Sequence, residues 1–155
     1  IAERLLEVGG IKHAIFVISK IDKIDRETAK NVINYIGVER VREYIDGESD
    51  LMLISYVLNE LYKIVPEHVI EILRGIDWNH LETLWVKEKD LRACGYFLHT
   101  IYDIQPEKSR EFVNSMVSEI WNLKIQDWGV GRDIEYFLDI VRIIDEAKYR
   151  ELVSG

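Results

Sequence analysis

The sequence predicts an all-α protein, and more specifically a right-handed α-solenoid built from three-helix repeats of about forty residues. Two observations lead to this prediction. Apolar positions recur along the 155 residues at a shift of forty without any insertion, and apolar residues within each unit follow helical spacing. The apolar run from Ala14 to Ile18 could belong to a strand, but its register within the repeat favours a helix.

The repeat is visible when the chain is aligned with itself. At a shift of forty, 35 columns contain four residues and ten of them are apolar in all four copies, against about two expected for a 48% apolar chain. The clearest columns are an isoleucine column of Ile24, Ile64, Ile104 and Ile144, and an aromatic column of Phe16, Tyr56, Tyr96 and Tyr136. We therefore treat the forty-residue period as the organising unit.

The second copy shows the helices of a unit in order. Asp50 is placed as an N-cap, and Pro66 suits the first turn of the next helix, where its missing N–H costs nothing. Gly75 and Asp77 are placed to end that second helix and cap a third. The three predicted apolar stripes are Ile54, Val57, Leu58, Leu61 and Ile64, then Val69, Ile72, Leu73 and Ile76, then Trp78, Leu81 and Trp85.

The period also predicts how the chain divides. It begins inside a third helix and stops inside a second one, which gives a partial unit at 1–9, units at 10–49, 50–89 and 90–129, and a partial unit at 130–155. Solenoids usually end in polar capping helices, and neither end has that character. We expect a single repeat domain that is a segment of a longer array.

The local pattern also resembles known families. A three-helix unit of this length resembles armadillo and HEAT repeats. The phrase from Tyr56 to Glu67, echoed from Tyr96 to Glu107, resembles the helical-repeat sensor regions of prokaryotic STAND-type nucleotide-binding proteins. The first and fourth copies carry Arg26 and Glu146 where the others have proline. The resemblance implies effector sensing or protein contact, with any nucleotide-binding core elsewhere.

Composition argues against several function classes. A net charge of −8 gives no general attraction for phosphates, so a nucleic-acid partner is not expected. No apolar run approaches the ~18 residues of a membrane span. The single cysteine, Cys94, cannot form an internal disulfide, which fits a reducing compartment, and we expect a cytoplasmic protein. The expected partner is a protein or peptide, and the oligomeric state stays open.

Motifs for catalysis or metal binding are absent from the sequence, so no catalytic residue, metal or cofactor is expected. The paired glycines at Gly9–Gly10 are too short for a phosphate-binding loop and are predicted to be hinge or cap glycines before the first helix of a unit. The turn from Asp46 to Asp50 alternates carboxylates, but Val57 stands where a calcium loop needs glutamate. Cys94 aligns with alanine and isoleucine and is predicted to be a core residue. Trp121 lies in another core column.

The aromatic column remains as a candidate binding site. The aromatic column of Phe16, Tyr56, Tyr96 and Tyr136 lies more than a quarter turn from the centre of the first helix's apolar stripe. The column either packs between units or forms the floor of a binding groove, and we include Lys63 and His99 as further candidate binding residues.

The sequence is compatible with three alternative functions: a non-catalytic scaffold for protein interaction or effector sensing, a structural spacer, or an enzyme domain with an unrecognised site.

Overall fold

The described chain is helical throughout, which confirms the all-α prediction. The computed structural model describes the backbone of residues 2–121 and 131–154, and side chains over 3–115 and 131–154. Across those ranges it contains nine α-helices and no strand. They are α1 (Ala2–Asp22), α2 (Arg26–Gly47), α3 (Leu51–Ile64), α4 (Pro66–Gly75), α5 (Trp78–Glu88), α6 (Leu91–Ile104), α7 (Pro106–Trp121), α8 (Gly131–Ile144) and α9 (Glu146–Ser154).

Helix boundaries follow local signals in the sequence. The Asp50 carboxylate accepts a hydrogen bond of 2.9 Å from the backbone N–H of Met52, and Pro66 is the first residue of α4, so both predicted starts are confirmed. Asp90 caps α6 in the same way through the N–H groups of the first turn. Helices α3, α6 and α8 begin forty residues apart, and so do α4, α7 and α9.

The two longest helices are kinked at glycines. Gly10 in α1 has φ 71° and ψ −162°, and Gly37 in α2 has φ 80° and ψ 160°. Essentially only glycine adopts this backbone region. Of the two roles predicted for the glycine pair, hinge or cap, Gly10 has the first, because it kinks α1; the helical segments on either side of the two kinks are 2–9 and 11–22, then 26–36 and 38–47. The kink at Gly37 is a second hinge, which the sequence had not singled out.

The described residues form two compact bodies. The N-terminal body comprises residues 2–49 and 53–77, and the C-terminal body comprises 50–52, 78–121 and 131–154. In the N-terminal body α2 packs against both α1 and α4. Its predicted apolar stripes are buried, with every residue of the α3 stripe and the α4 stripe at most 6% exposed. Those stripe predictions are therefore confirmed.

Arginine side chains join helices within each body. Arg42 of α2 donates through Nε to the carbonyl oxygen of Ile72 at 3.4 Å, near the end of α4. In the C-terminal body Arg110 of α7 donates to the carbonyl oxygen of Ile144 at 3.3 Å, the last residue of α8. The last turn of a helix leaves carbonyl groups without intrahelical donors, and a guanidinium satisfies them. Each arginine thus stabilises a helix end and a helix–helix contact together.

The C-terminal body is built around an aromatic cluster. Trp85 of α5 is fully buried, with its ring centroid 4.9 Å from that of Phe112 and 5.9 Å from that of Phe137. Phe97 meets Phe112 edge to face at 5.5 Å, a favoured arrangement of aromatic rings. The Cys94 thiol lies beside this cluster, donates to the Trp85 carbonyl at 3.6 Å and is fully buried, which confirms it as a core residue.

Two sequence expectations need correction, and a third falls on a residue whose side chain the structure does not describe. Trp78 was assigned to the buried stripe of α5, but it is only half-buried, because it is the first residue of the helix; the Lys108 ammonium lies over its ring, 4.6 Å from the centroid. Ile24 belongs to an apolar column yet is 90% exposed, because α1 ends at Asp22 and a turn carries Ile24 into solvent. Trp121 as a core residue lies outside the described side chains.

In the described part of the chain, no helix combines the length and apolar character needed to cross a membrane.

The Gly37 hinge makes a testable prediction. An added Cβ at Gly37 would meet nothing within 4 Å, so the cost of G37A comes from its positive φ alone. We expect G37A to lower the free energy of unfolding by about 1–3 kcal/mol in urea titrations. The matched control is G47A at the end of the same helix, where space is also open and φ is not positive, with an expected change below about 1 kcal/mol. Equal effects of the two substitutions would contradict the hinge.

Burial of Cys94 makes a second prediction. Desolvation raises the pKa of its thiol, and nearby Asp90 and Glu88 raise it further. Since the thiolate is the reactive form, we expect the native protein to react with a thiol reagent such as DTNB at least about a hundredfold more slowly than the chain unfolded in guanidinium. The control is the double variant C94A/T83C, which moves the only thiol to an exposed position on α5 and should react rapidly without denaturant. Fast labelling of the native wild-type protein would refute this packing.

Candidate binding clefts

The four residues of the aromatic column remain accessible to solvent. Phe16 on α1 is 52% exposed, and Tyr56, Tyr96 and Tyr136, on α3, α6 and α8, are half-buried. None of the three tyrosines is fully enclosed, although each lies directly before two apolar residues that are largely withdrawn from solvent. The column therefore occupies the edge of the buried face on each of these helices. Its members fall into two pairs, one in each body.

Phe16 and Tyr56 line a cleft in the N-terminal body. This N-terminal cleft has a volume of about 270 Å³ and lies between the end of α1 and α3. Its lining is Phe16, Ser19, Lys20, Asp22, Lys23, Tyr56, Glu60, Lys63 and Ile64. Lys63, a predicted site residue, is thus brought beside the aromatic pair.

Polar contacts organise the N-terminal cleft. The Ser19 hydroxyl donates to a Glu60 carboxylate oxygen at 3.1 Å, which joins α1 to α3, and Lys63 pairs with Glu60 at 3.3 Å. Asp22 is engaged by Arg26 at 2.9 Å. The Lys20 ammonium lies 5.3 Å from the Phe16 ring centroid, within the range of a cation–π contact. The carboxylates of this cleft are therefore already neutralised by neighbouring cations.

Tyr96 and Tyr136 line a second cleft, in the C-terminal body. This C-terminal cleft has a volume of about 430 Å³ and is formed by α6, α8 and the first turn of α3. Its lining is Met52, Arg92, Tyr96, Arg132, Asp133 and Tyr136. Arg92 and Arg132 each stand four residues before a tyrosine, one helical turn away, so each cation and ring share a helix face. The cleft thus combines two aromatic rings, two guanidinium groups and one carboxylate.

Gly95 fixes the position of the Tyr136 ring. Gly95 is a buried residue of α6, and a Cβ placed on it would lie 2.7 Å from Cε2 of Tyr136 and 3.0 Å from its Cδ2. The ring therefore rests against the backbone of α6, in space that any other residue would fill. The pKa of the Tyr136 hydroxyl is raised, mainly by burial and also by Tyr96, while Arg92 opposes the rise. The hydroxyl is therefore protonated at neutral pH and available as a donor.

The arginines of the C-terminal cleft do not take part in the ion pairs between described side chains. Within the described part of the chain, six arginines form ion pairs with carboxylates, and neither Arg92 nor Arg132 is among them. Carboxylates do gather at the start of α6. The pKa of Glu88 is raised by its burial and by repulsion from Asp50 and Asp90. Asp50 and Asp90 are committed to the first-turn N–H groups of α3 and α6.

A third, more open cleft lies in the N-terminal body and does not include the aromatic column. It has a volume of about 780 Å³ and lies around the Gly10 hinge between α1 and α2. Glutamates outnumber cations in its lining of Glu3, Leu6, Glu7, Gly10, Ile11, Tyr35, Arg40, Glu43 and Tyr44. This third cleft is therefore more acidic than the two clefts that contain the aromatic column, and its Tyr35 is exposed.

His99 does not line any of these three clefts. It is exposed on α6, and its Nε2 lies 3.7 Å from a carboxylate oxygen of Asp103, one turn further along. Its surroundings are those of a solvated surface histidine. Across the described residues, no three His, Cys, Asp or Glu side chains lie close enough together to hold a metal ion.

The sequence reasoning missed the residues that complete the C-terminal cleft. Met52, Arg92 and Arg132 belong to one column of the forty-residue repeat, with Lys12 as its first member. This column precedes the aromatic column by four residues, and three of its four members are cationic. The signal was present in the alignment, but a search for uniformly apolar columns passes over it.

The contact between Gly95 and Tyr136 makes a third prediction. In a helix, Gly→Ala is normally stabilising by about 0.5–1 kcal/mol, and we expect G95A to have that effect in a Y136A background. With the Tyr136 ring present, the new methyl group must displace it, so G95A should stabilise the protein less or destabilise it. A double-mutant cycle in urea should give a coupling free energy of at least about 0.5 kcal/mol. The same effect of G95A in both backgrounds would show that the ring does not rest on α6.

In comparisons with known proteins, no family model, curated protein or solved structure matches the chain.

Proposed function

We propose that this chain is a non-catalytic helical-repeat scaffold that binds a protein or peptide and serves protein interaction or effector sensing. The forty-residue sequence period supports a right-handed α-solenoid of three-helix units, and the spacing of matching helix starts agrees with that period. The resemblance of the Tyr56–Glu67 phrase to STAND-type sensor regions favours sensing within a longer protein. We further propose a cytoplasmic protein, because its one thiol needs no oxidising compartment.

The observation that carries the proposal is the half-exposed state of the tyrosine column. Tyr56 lines a cleft in one body, and Tyr96 and Tyr136 line a cleft in the other. Tyrosine offers a large apolar surface and a hydrogen-bonding hydroxyl, and the core of protein interfaces is enriched in tyrosine, methionine and arginine. A structural spacer would gain most from burying these rings completely. Their exposure therefore favours a binding surface.

A photo-crosslinking experiment tests this function. We would replace Tyr56 or Tyr96 with the photoreactive amino acid p-benzoylphenylalanine, irradiate the full chain in an extract of the cells that make it, and identify crosslinked proteins by mass spectrometry. We expect the same discrete partner from both column positions, competed away by excess unlabelled wild-type protein, because half-exposed cleft aromatics make close contacts in interfaces.

The matched control places the same photoreactive group at Tyr35, an exposed tyrosine outside the aromatic column. It should give no partner, or a different one. Equal crosslinking from Tyr35 and the column positions would mark the contacts as non-specific. No competable crosslink at either column position would remove the support for a binding function.

A further inference from the structure

The C-terminal cleft is specific enough in its chemistry to indicate what it binds. We propose that it binds an acidic polypeptide segment, with a carboxylate held by Arg92 and Arg132 and a neighbouring aromatic or aliphatic side chain packed on Tyr96, Tyr136 and Met52. This inference rests on the proposed binding function and names the chemistry of the partner.

The charge of the cleft supports an acidic partner. The chain has 28 acidic and 20 basic residues, so an exposed arginine has many opportunities to pair with a carboxylate. Six of the ten arginines do so among the described residues, and of the four that do not, Arg92 and Arg132 are both exposed and line one cleft. Planar guanidinium groups bind carboxylates with two parallel hydrogen bonds. The two arginines are thus an available carboxylate site.

The apolar part of the cleft supports a side chain next to that carboxylate. Because Gly95 has no side chain, the Tyr136 ring packs directly against the backbone of α6. The position of the ring is therefore set before a partner arrives. Met52 is 40% exposed at the start of α3, and its flexible thioether adapts to the shape of a partner. These two side chains suit an aromatic or aliphatic residue of the partner. A ring that is already in position loses little conformational entropy when the partner binds.

The surrounding charges favour a single carboxylate over a polyanion. Asp133 lies in the lining itself, and Glu88 at the end of α5 is repelled both by Asp50, just before α3, and by Asp90, just before α6. These carboxylates and the net charge of −8 would repel a nucleic acid or a polyphosphate chain. A peptide with one or two acidic residues next to an apolar one meets the arginines without that repulsion.

Peptide selection with the full chain tests the inference. A random twelve-residue phage library would be panned on immobilised wild-type protein, and selected peptides would be labelled for fluorescence anisotropy. We expect them to carry Asp or Glu beside an aromatic or large aliphatic residue. Affinity should fall at least about tenfold in R92Q/R132Q, because a desolvated charge pair is lost. Changing the Asp or Glu of the peptide to Asn or Gln should lower its affinity for the wild-type protein by a similar factor. The same change should have little effect on its affinity for R92Q/R132Q.

The matched control is R74Q/R150Q, which also removes two exposed arginine charges but lies outside the three clefts. Its affinity should stay within about twofold of wild type, since exposed charges that do not line the cleft are screened at physiological salt. Thermal melts by circular dichroism establish that both variants are folded.

Each other outcome counts against the inference. Selected peptides without acidic residues, or equal binding by R92Q/R132Q, would show that the arginines do not choose the partner while the binding function stands. A selection that yields no peptide also overturns the inference, and the binding function then depends on the crosslinking at Tyr56 and Tyr96. Equal losses in both double variants would indicate long-range attraction and would likewise overturn it.

Discussion

Burial of one apolar stripe on each helix that carries the aromatic column determines both the core and the clefts. In α3 the stripe residues Val57, Leu58 and Leu61 are withdrawn from solvent, and Phe97, Leu98 and Ile101 hold the same places in α6. Successive residues of an α-helix are separated by about 100° around its axis, so the residue before the stripe lies at the edge of the buried face. An aromatic ring at that edge packs one side against the protein and leaves the other in solvent. The clefts are therefore a geometric consequence of how the core is buried.

Much of the fold could be predicted because its signals are local. The N-cap at Asp50, the proline that starts α4 and the hinge at Gly10 depend only on neighbouring backbone, and the apolar stripes depend only on helical spacing. The half-buried state of Trp78 could not be predicted in this way. It depends on the ring's place at the very start of α5, and its tertiary neighbour is a lysine thirty residues later in the chain.

The candidate site was predictable only in part, for a related reason. The aromatic column is conspicuous because all four copies share one chemical character. The column four residues earlier contains Lys12, Met52, Arg92 and Arg132, and its mixture of a thioether with cations hides its role. Which of these side chains meet in one cleft depends on the packing of α6 on α8, and that packing depends on the absence of a side chain at Gly95.

The two aromatic clefts show how corresponding positions of the forty-residue sequence period can present different chemistry. Both pair aromatic rings with cations, yet the N-terminal cleft uses lysines from positions after the aromatic residue, whereas the C-terminal cleft uses arginines from positions before it. An ammonium group is a compact, strongly hydrated charge, while a guanidinium is planar, less hydrated and directional. In the N-terminal cleft Lys63 is also committed to Glu60, which leaves less charge for a partner. Selectivity for a carboxylate should therefore concentrate in the C-terminal cleft, while the N-terminal cleft contributes mainly aromatic surface.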